Sequence, residues 1–479
     1  MREYDLIVLG GGTGNIVAAA AADGGLDVAL VERDRLGGTC LNRGCNPSKK
    51  LIHRADAAET ITNADSLGLD ASLDGVAFGD IVDEVIGEVT AEAEEKAERA
   101  REHERIDFYQ TEGRFVGERT VEVDAEGESG EGDSTAELTA ERIVLAGGSR
   151  PVVPDSIDGT DEADFLTSDE ALRLRELPDR LVVAGGGYIA VEMAHLFGAL
   201  GTDVAVVGRG NVLLGREDRE VAERLTEAYE EKHELHLGRE VTELREDGEE
   251  TVVVAESEEG ENGDGDGNGE NGDGRIELAG DEVLLATGRR PNTDRWNVSA
   301  AGLDTDEDGF VETDEYLETS VDGVYAIGDI AGNYMFKHSG DKEAEHVVES
   351  LLGESRSAVS YPGMAHAVFG SPQVGSLGKT EEEIDGGYEA GRYDYDDTAL
   401  GSVLPGDGFA KALVADDGEV LGFHVVGPHA SMLVHEVSTA VAAGADAKTV
   451  AETIHVHPAL SEVVQGAFRE VRDVAPSGI

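Results

Sequence analysis

Twice along this chain of 479 residues an apolar run leads into three consecutive glycines, a helix-forming stretch and a second apolar run. The first copy covers residues 6–32 and the second residues 181–209. Strand, glycine turn, helix and strand make a βαβ unit, whose crossover places its two strands parallel in one sheet. Two such units predict two nucleotide-binding domains. Apolar runs and helical stretches go on alternating beyond them, so the expected class is α/β. From about residue 355 the pattern changes. Strand-like runs at 410–414 and 420–426 precede a long helical pattern at 431–443, as in an α+β domain.

Composition decides whether such a chain packs. Asp and Glu number 102 against 38 Lys and Arg, a formal charge of −64. A disordered acidic chain is the competing reading, but 40% of the residues are hydrophobic and they recur in runs, which predicts a core. We read the surface as adapted to molar salt, where the Debye length shrinks to about 3 Å. It argues against nucleic acid and anionic membrane as partners, because their phosphates would be repelled. No apolar run reaches the roughly 18 residues of a membrane span. The N-terminus enters a strand at once, so the expected location is the cytoplasm. The stretches 124–133 and 256–274 hold almost only Gly, Asp, Glu and Asn, and read as solvated loops between strands.

The first glycine turn is Gly10-Gly11-Gly12-Thr13-Gly14-Asn15. Gly10, Gly12 and Gly14 let backbone N–H groups approach a pyrophosphate at a helix N-terminus. Glu32 lies 20 residues beyond Gly12, where a carboxylate accepts hydrogen bonds from ribose. Asn15 stands where Gly or Ala usually lets the helix pack close to the sheet. The second turn is Gly185-Gly186-Gly187-Tyr188-Ile189-Ala190. Its following strand ends in Gly208-Arg209, with no acid at the position equivalent to Glu32. Arg209, with Arg216 nearby, can pair with a 2′-phosphate, which favours NADPH over NADH. The plainer reading makes Arg209 a surface arginine.

Cys40 and Cys45 are the only cysteines. A disulfide closing so short a loop would restrict the unfolded chain little. The pair is therefore expected to be catalytic or metal-binding. Zinc would need two further ligands, and His53 alone does not supply them. Pro47 suits the first turn of a helix, whose N-terminus would favour a Cys45 thiolate.

The segment Gly37-Gly38-Thr39-Cys40-Leu41-Asn42-Arg43-Gly44-Cys45-Asn46-Pro47-Ser48-Lys49-Lys50 resembles the redox motif of the class I pyridine nucleotide–disulfide oxidoreductases. Further marks of that family follow in order: Ala146-Gly147-Gly148-Ser149-Arg150-Pro151, Ala286-Thr287-Gly288-Arg289-Arg290-Pro291-Asn292, Tyr325-Ala326-Ile327-Gly328-Asp329 and His457-Pro458-Ala459-Leu460-Ser461-Glu462. Gly147 departs from the usual Thr. The resemblance spans nearly the whole chain. It implies an FAD-binding domain at 1–150, an NAD(P)-binding domain at 151–290, a central domain at 291–354 and an interface domain at 355–479. FAD would lie between the nicotinamide and the cysteines. Thr39, Gly113 and Asp329 would contact FAD, and Gly185, Gly187, Tyr188, Ile189, Ala190 and Gly288 the nicotinamide nucleotide. Lys49, rather than Lys50, would sit near the flavin and pair with Glu192. Tyr188 would cover the nicotinamide pocket. Cys40 would attack the substrate disulfide and Cys45 resolve the mixed disulfide. His457, oriented by Glu462, would pass protons between thiols and come from the partner subunit, which implies a homodimer. His455 reads as structural.

No third cysteine exists, which disfavours the mercuric and large thioredoxin reductases of the family. Dihydrolipoamide dehydrogenases usually carry an acid where Gly208 stands and Ile or Val where Asn46 stands. The segment from Lys337 to Ala344 resembles mycothione reductase more. Salt-adapted archaea use γ-glutamylcysteine as their small thiol, so bis-γ-glutamylcystine is the expected substrate. Dihydrolipoamide is the alternative. A nucleotide-binding flavoprotein without thiol chemistry is the rival of another class, and Cys40, Cys45 and His457 together speak against it. Asp304-Thr305-Asp306-Glu307-Asp308-Gly309 with Val311 and Glu315 fits a calcium-loop pattern, but helices are not expected on both sides, so no metal site is expected there. The run 264–269 matches only the first half of that pattern.

Overall fold

The computed structural model describes residues 1–124, 135–257, 274–353, 356–404 and 407–471. Residues 125–133 and 258–273, most of the two expected acidic loops, lie outside the described residues, as does the run 264–269. The chain forms two compact units, each assembled from separated segments.

The first unit comprises Met1–Ser48, Ile81–Val152 and Arg289–Tyr361. Its sheet has seven strands. Ile106–Tyr109, Val28–Val31, Arg2–Leu9 and Thr135–Leu145 run parallel, and the hairpin Gly113–Gly117 and Thr120–Asp124 adds antiparallel strands beyond them. Every residue from Leu6 to Leu9 and from Val28 to Val31 is fully buried, because parallel strands are covered on both faces. The parallel strands of the βαβ unit are as expected, and the hairpin adds an antiparallel edge that the α/β reading did not specify. The strand Thr135–Leu145 is long enough for two partners on one edge. Its first half pairs with Thr120–Asp124 and its second half with Val324–Ala326, in the register Leu145 opposite Ala326.

The second unit comprises Lys49–Asp80, Val153–Gly288 and Pro362–Ile479. A four-stranded parallel sheet is ordered Glu234–Leu237, Asp203–Gly208, Arg180–Ala184, Glu282–Leu285. Three antiparallel strands accompany it, Arg239–Asp247, Glu250–Ser257 and Arg275–Gly280. The C-terminal part is a five-stranded antiparallel sheet, ordered Ala365–Val368, Gln373–Gly378, Val420–Gly427, Phe409–Ala415, Tyr388–Asp394. One face of it is covered by the helices Ala430–Ala442, Ala447–Glu452 and Ser461–Glu470, with the rings of Phe423 and Phe468 stacked 5.8 Å apart. No helix among the described residues is long and apolar enough to cross a membrane.

Candidate active site

In the first turn Gly10 has φ 104°, and a Cβ there would stand 2.2 Å from the Ala146 carbonyl oxygen. Only glycine allows that approach. A Cβ on Gly14 would meet Val8 Cγ1 at 2.7 Å and Ala146 Cβ at 3.0 Å. Gly14 is thus the residue that brings helix and sheet together, and the departure at Asn15 costs the turn nothing. Glu32 accepts hydrogen bonds from the backbone N–H of Gly11 at 2.7 Å and of Asp34 at 2.8 Å. Burial raises its pKa, and those two N–H groups only partly oppose this. Glycine backbone at the helix start, with a carboxylate at the end of the second strand, fits the pyrophosphate and ribose of FAD.

Strand register makes the second turn comparable position by position. Leu9 pairs with Val31 and Ala184 with Val207; Gly10 N–H donates to the Val31 carbonyl and Gly185 N–H to the Val207 carbonyl. Gly208 therefore occupies the place of Glu32. A Cβ at 208 would press on Leu237 Cδ2 at 3.1 Å. Gly185, at φ 140°, passes the carbonyl of Ala286 as Gly10 passes that of Ala146. Gly187 precedes the helix Tyr188–Ala199 with open space where a Cβ would point. Tyr188 is exposed, Ile189 partly exposed and Ala190 buried against the sheet. Gly288, at φ 123°, also faces open space. Arg209 and Arg216 are both exposed, and Arg209 Nη1 lies 3.9 Å from Glu240.

The redox segment is clamped to the first turn. Gly37 N–H donates to the Gly11 carbonyl at 2.8 Å, and a Cβ on Gly38 would strike Gly12 Cα at 2.7 Å. Thr39 and Cys40 follow on the short helix Gly38–Arg43. Asn42 is buried there and donates to the carbonyls of Arg35, Leu36 and Gly38. Gly44 ends that helix; a Cβ on it would lie 2.9 Å from the Thr39 carbonyl and 3.2 Å from Cys40 Cα. The next helix, Cys45–Thr62, begins on the second cysteine with Pro47 in its first turn, where no N–H is missed. Cys40 is half-buried and Cys45 exposed. A hydrogen bond to Cys45, then burial, push the Cys40 thiol far above the usual cysteine range, while the Lys337 ammonium pulls it down. Asn46 Oδ1 accepts from Cys40 Sγ at 3.7 Å.

The chain passes into the second unit within the same helix. Lys49 Nζ lies 2.6 and 2.8 Å from the two carboxylate oxygens of Glu192, which is 5% exposed and also accepts the Phe369 N–H. His457 Nδ1 lies 2.8 Å from Glu462 Oε1, and the His457 side chain is 73% exposed. The Ala459 N–H and then His457 lower the Glu462 pKa. His455 pairs with Glu436 and the Thr453 carbonyl instead. Ile454 and Val456 stand 97% and 74% exposed beside His457.

Strand register also delivers Asp329. Because Ala326 pairs with Leu145, the turn Gly328-Asp329 arrives beside residues 146–149. There Ser149 Oγ donates to Asp329, while Arg289 donates to Ser149 Oγ and to the Ser149 carbonyl, each at 2.8 Å. Gly113 starts a strand of this sheet, close against Val31 Cγ1. The indole of Trp296 explains Gly147: a Cβ there would stand 2.4 Å from its Nε1. The calcium-like stretch forms a tight antiparallel turn, with Thr305 bridged to Val311. Asp306 Oδ1 accepts the N–H groups of Asp308 and Phe310. A short 3₁₀ helix, Val298–Ala301, precedes it and the strand Val324–Ala326 follows.

This arrangement agrees with what the sequence matches. Residues 4–348 match the family described as "Pyridine nucleotide-disulphide oxidoreductase", and residues 364–468 match its dimerisation domain. The chain belongs to the pyridine nucleotide-disulphide oxidoreductases. It is 35% identical to a mycothione reductase of Mycobacterium tuberculosis, over 98% of this chain and 100% of that protein. It is 35% identical to a dihydrolipoyl dehydrogenase of Halobacterium salinarum and 36% identical to that of Haloferax volcanii, each over 97% of this chain and 95% of the relative. Among solved structures it is similar in fold to the flavoprotein disulfide reductase RclA of Escherichia coli, with a TM-score of 0.83 at 24% identity over 98% of this chain and 99% of the other. The chain is thus an FAD- and NAD(P)H-dependent disulfide oxidoreductase, and its dimerisation domain indicates a homodimer.

Sequence reasoning passed over Ser149, Arg289 and Trp296 as site residues, and used Asn46 only to separate substrates. The first two lie inside motifs quoted for the family, yet only the sheet register joins them to Asp329. Asn46 had a signal of its own, an amide where the family has an aliphatic residue beside the reactive thiols.

Proposed function

We propose that this enzyme reduces bis-γ-glutamylcystine with NADPH in the cytoplasm. Residues 1–150 would hold FAD, 151–290 the nicotinamide nucleotide, 291–354 the rest of the flavin site and 355–479 the subunit interface. The observation that carries the nucleotide choice is the register equivalence of Gly208 with Glu32. The carboxylate that would receive a ribose 2′-OH is missing, and Arg209 follows directly with its side chain exposed. The mycothione reductase relative, which acts on another small thiol, supports a low-molecular-weight disulfide as substrate.

Bound FAD would supply the route by which the electron pair of NADPH reaches the Cys40–Cys45 disulfide; the S–S bond would break to give two thiols, the hydride equivalent being completed by one proton from solvent. Cys40 gives its proton to His457 of the partner subunit, which Glu462 orients, and as thiolate attacks one sulfur of the substrate, whose S–S bond breaks. The departing γ-glutamylcysteine thiolate takes that proton back from the imidazole. Cys45 then attacks Cys40, its own proton passing to the second γ-glutamylcysteine as that leaves, and the disulfide is restored. Lys49, held by Glu192, would be the ammonium of the flavin site. Asp329, oriented by Ser149 and Arg289, receives the ribityl and pyrophosphate end. Tyr188 shields the nicotinamide pocket.

Dihydrolipoamide dehydrogenase with NAD is the second reading, favoured by the haloarchaeal relatives. The test runs both reactions side by side in about molar KCl, which screens the surface charge. Fast NADPH oxidation with bis-γ-glutamylcystine supports the first reading; fast NAD reduction with dihydrolipoamide replaces it with the second. A Cys45→Ser variant should keep its FAD and lose disulfide reduction. Full activity in that variant would remove the thiol mechanism altogether.

A further inference from the structure

The five-stranded C-terminal sheet carries one polar residue per strand in a single row. Its register sets His366 opposite Ser376, Ser376 opposite His424, His424 opposite Lys411 and Lys411 opposite Arg392. Residues directly opposite share a face, so the row crosses the whole sheet on one side. Lys411 is 1% exposed and His424 1%. A polar rib through an apolar sheet needs partners, and it finds them in one stretch of the nucleotide-binding part, Glu217-Asp218-Arg219-Glu220. Glu217 accepts from His366 Nε2 at 2.6 Å and from Ser376 Oγ. Asp218, fully buried, accepts from Lys411 Nζ at 3.0 and 3.2 Å. Glu220 accepts from Lys411 at 2.8 Å and from Arg392 at 2.7 Å, and Glu381 completes the lysine's shell at 2.6 Å. His424 Nε2 pairs with the Lys379 carbonyl.

That acidic stretch closes the loop of residues 209–218, which carries Arg209 and Arg216. Midway along, the loop is tied to the nucleotide turn itself: Leu214 N–H donates to the Gly186 carbonyl at 2.7 Å. Leu214 holds φ 53°, a left-handed conformation unfavourable for a residue with a side chain, so its surroundings must impose it. The Thr226 hydroxyl takes the Leu213 N–H, and Gly238 N–H takes the Gly210 carbonyl. A buried ion pair is seldom more stabilising than an apolar pair of the same volume; what it adds is a single allowed geometry.

We infer that the polar row of the C-terminal sheet is a positioning device for the nucleotide site, in which Lys411 and His366, acting through Asp218 and Glu217, fix the loop that aims Arg209 and Arg216 at the 2′-phosphate. This rests on the NADPH reading above and assigns that site's selectivity to residues far from it in sequence. Lys411, His366, Ser376 and Glu217 are positioning residues and touch no nucleotide.

The test uses the FAD-loaded enzyme in molar KCl and two probes, adenosine 2′,5′-bisphosphate and 5′-AMP, titrated by calorimetry. The variants are Lys411→Met, Lys411→Arg and the milder Glu217→Gln and Ser376→Ala, which remove hydrogen bonds without stranding a buried charge. In Lys411→Met and Glu217→Gln the affinity for the bisphosphate should fall roughly tenfold, which corresponds to about 1.4 kcal/mol. Affinity for 5′-AMP should fall less than twofold, and Lys411→Arg should regain most of the loss. If Lys411→Met does not fold, Glu217→Gln and Ser376→Ala decide. A wild-type preference for the bisphosphate that survives in every folded variant overturns the positioning inference alone. Equal wild-type affinity for the two probes overturns the NADPH reading and the inference with it.

Discussion

Restoring threonine at position 147 should damage this enzyme, although threonine is the residue its family usually carries there. The Cβ alone would stand 2.4 Å from Trp296 Nε1, 2.9 Å from Trp296 Cδ1 and 2.9 Å from Ile330 Cδ1. Ordinary contact distances are about 3.5–4.0 Å, so the indole must retreat by roughly 1 Å. It has little room, being 9% exposed and packed among Phe115, Leu145 and Val298 with its far edge near Gly113. Overpacking of this kind costs about 1–3 kcal/mol. The backbone at 147 is not left-handed, so the penalty is purely steric. Gly147→Thr should therefore lower the thermal midpoint of the FAD-loaded enzyme by several degrees in molar KCl. Trp296→Val destabilises by itself, but it should absorb the threonine, giving a coupling of about 0.5–3 kcal/mol in the double-mutant cycle. Trp296 is the only tryptophan in the chain, so its fluorescence reports the displacement directly. A Gly147→Thr enzyme with unchanged midpoint and emission, or strictly additive effects in the double mutant, would refute the exclusion of one residue by the other.

Asn46→Val removes an acceptor that only the reduced Cys40 thiol can use; losing about 0.5–1.5 kcal/mol from the reduced state should make the dithiol potential more negative by roughly 10–30 mV in a redox titration, and a shift to a less negative value would contradict the contact. Glu192→Gln leaves Lys49 without its carboxylate and should cost about 1.5–3 kcal/mol in thermal unfolding; a stability unchanged from wild type would mean the pair contributes nothing. Burial, assisted by Lys232, lowers the His233 pKa from 6.5 to about 4. The folded state thus binds fewer protons than the unfolded one in that window, so stability should fall on acidification from pH 6.5 to about 4 by about 1.4 kcal/mol per pH unit. His233→Phe should flatten the slope, and an equal slope in the variant would acquit this histidine.

What could be read in the sequence was local. Gly10, Gly12 and Gly14 form one turn and the run from Gly37 to Lys50 carries both cysteines, so spacing alone marks them, while the close approaches of Gly10 and Gly14 to Ala146 lie outside any short window. Pairings across a few residues were equally accessible, as with His457, in the bend before the helix Ser461–Glu470, and Glu462 in its first turn. The contact of Ser149 with Asp329 depends on which half of Thr135–Leu145 receives Val324–Ala326, a matter of sheet register that no short window contains. The polar row was hidden for a related reason: each member looks like a single anomaly in an apolar strand, and only pairing lines the anomalies up. A lone lysine in Phe409-Ala410-Lys411-Ala412-Leu413 and a lone histidine in Gly422-Phe423-His424-Val425 were signals of a buried partner, though they could not say which. The hairpin of the first sheet was not legible because its strands are short and half-exposed, and their alternating pattern resembles a loop.

The strand Thr135–Leu145 has a consequence for how this protein is made. Its C-terminal edge is completed by Val324–Ala326, which the ribosome adds some 180 residues later. At about 5–20 residues per second the edge waits roughly 10–35 s for its neighbour. During that time the backbone of Ile143, Val144 and Leu145 lacks its last strand, and Ser149 lacks Asp329. The intervening segment belongs mostly to the second unit. The first unit, though it holds the first residues synthesised, therefore finishes folding only after residues 153–288 of the second unit have emerged.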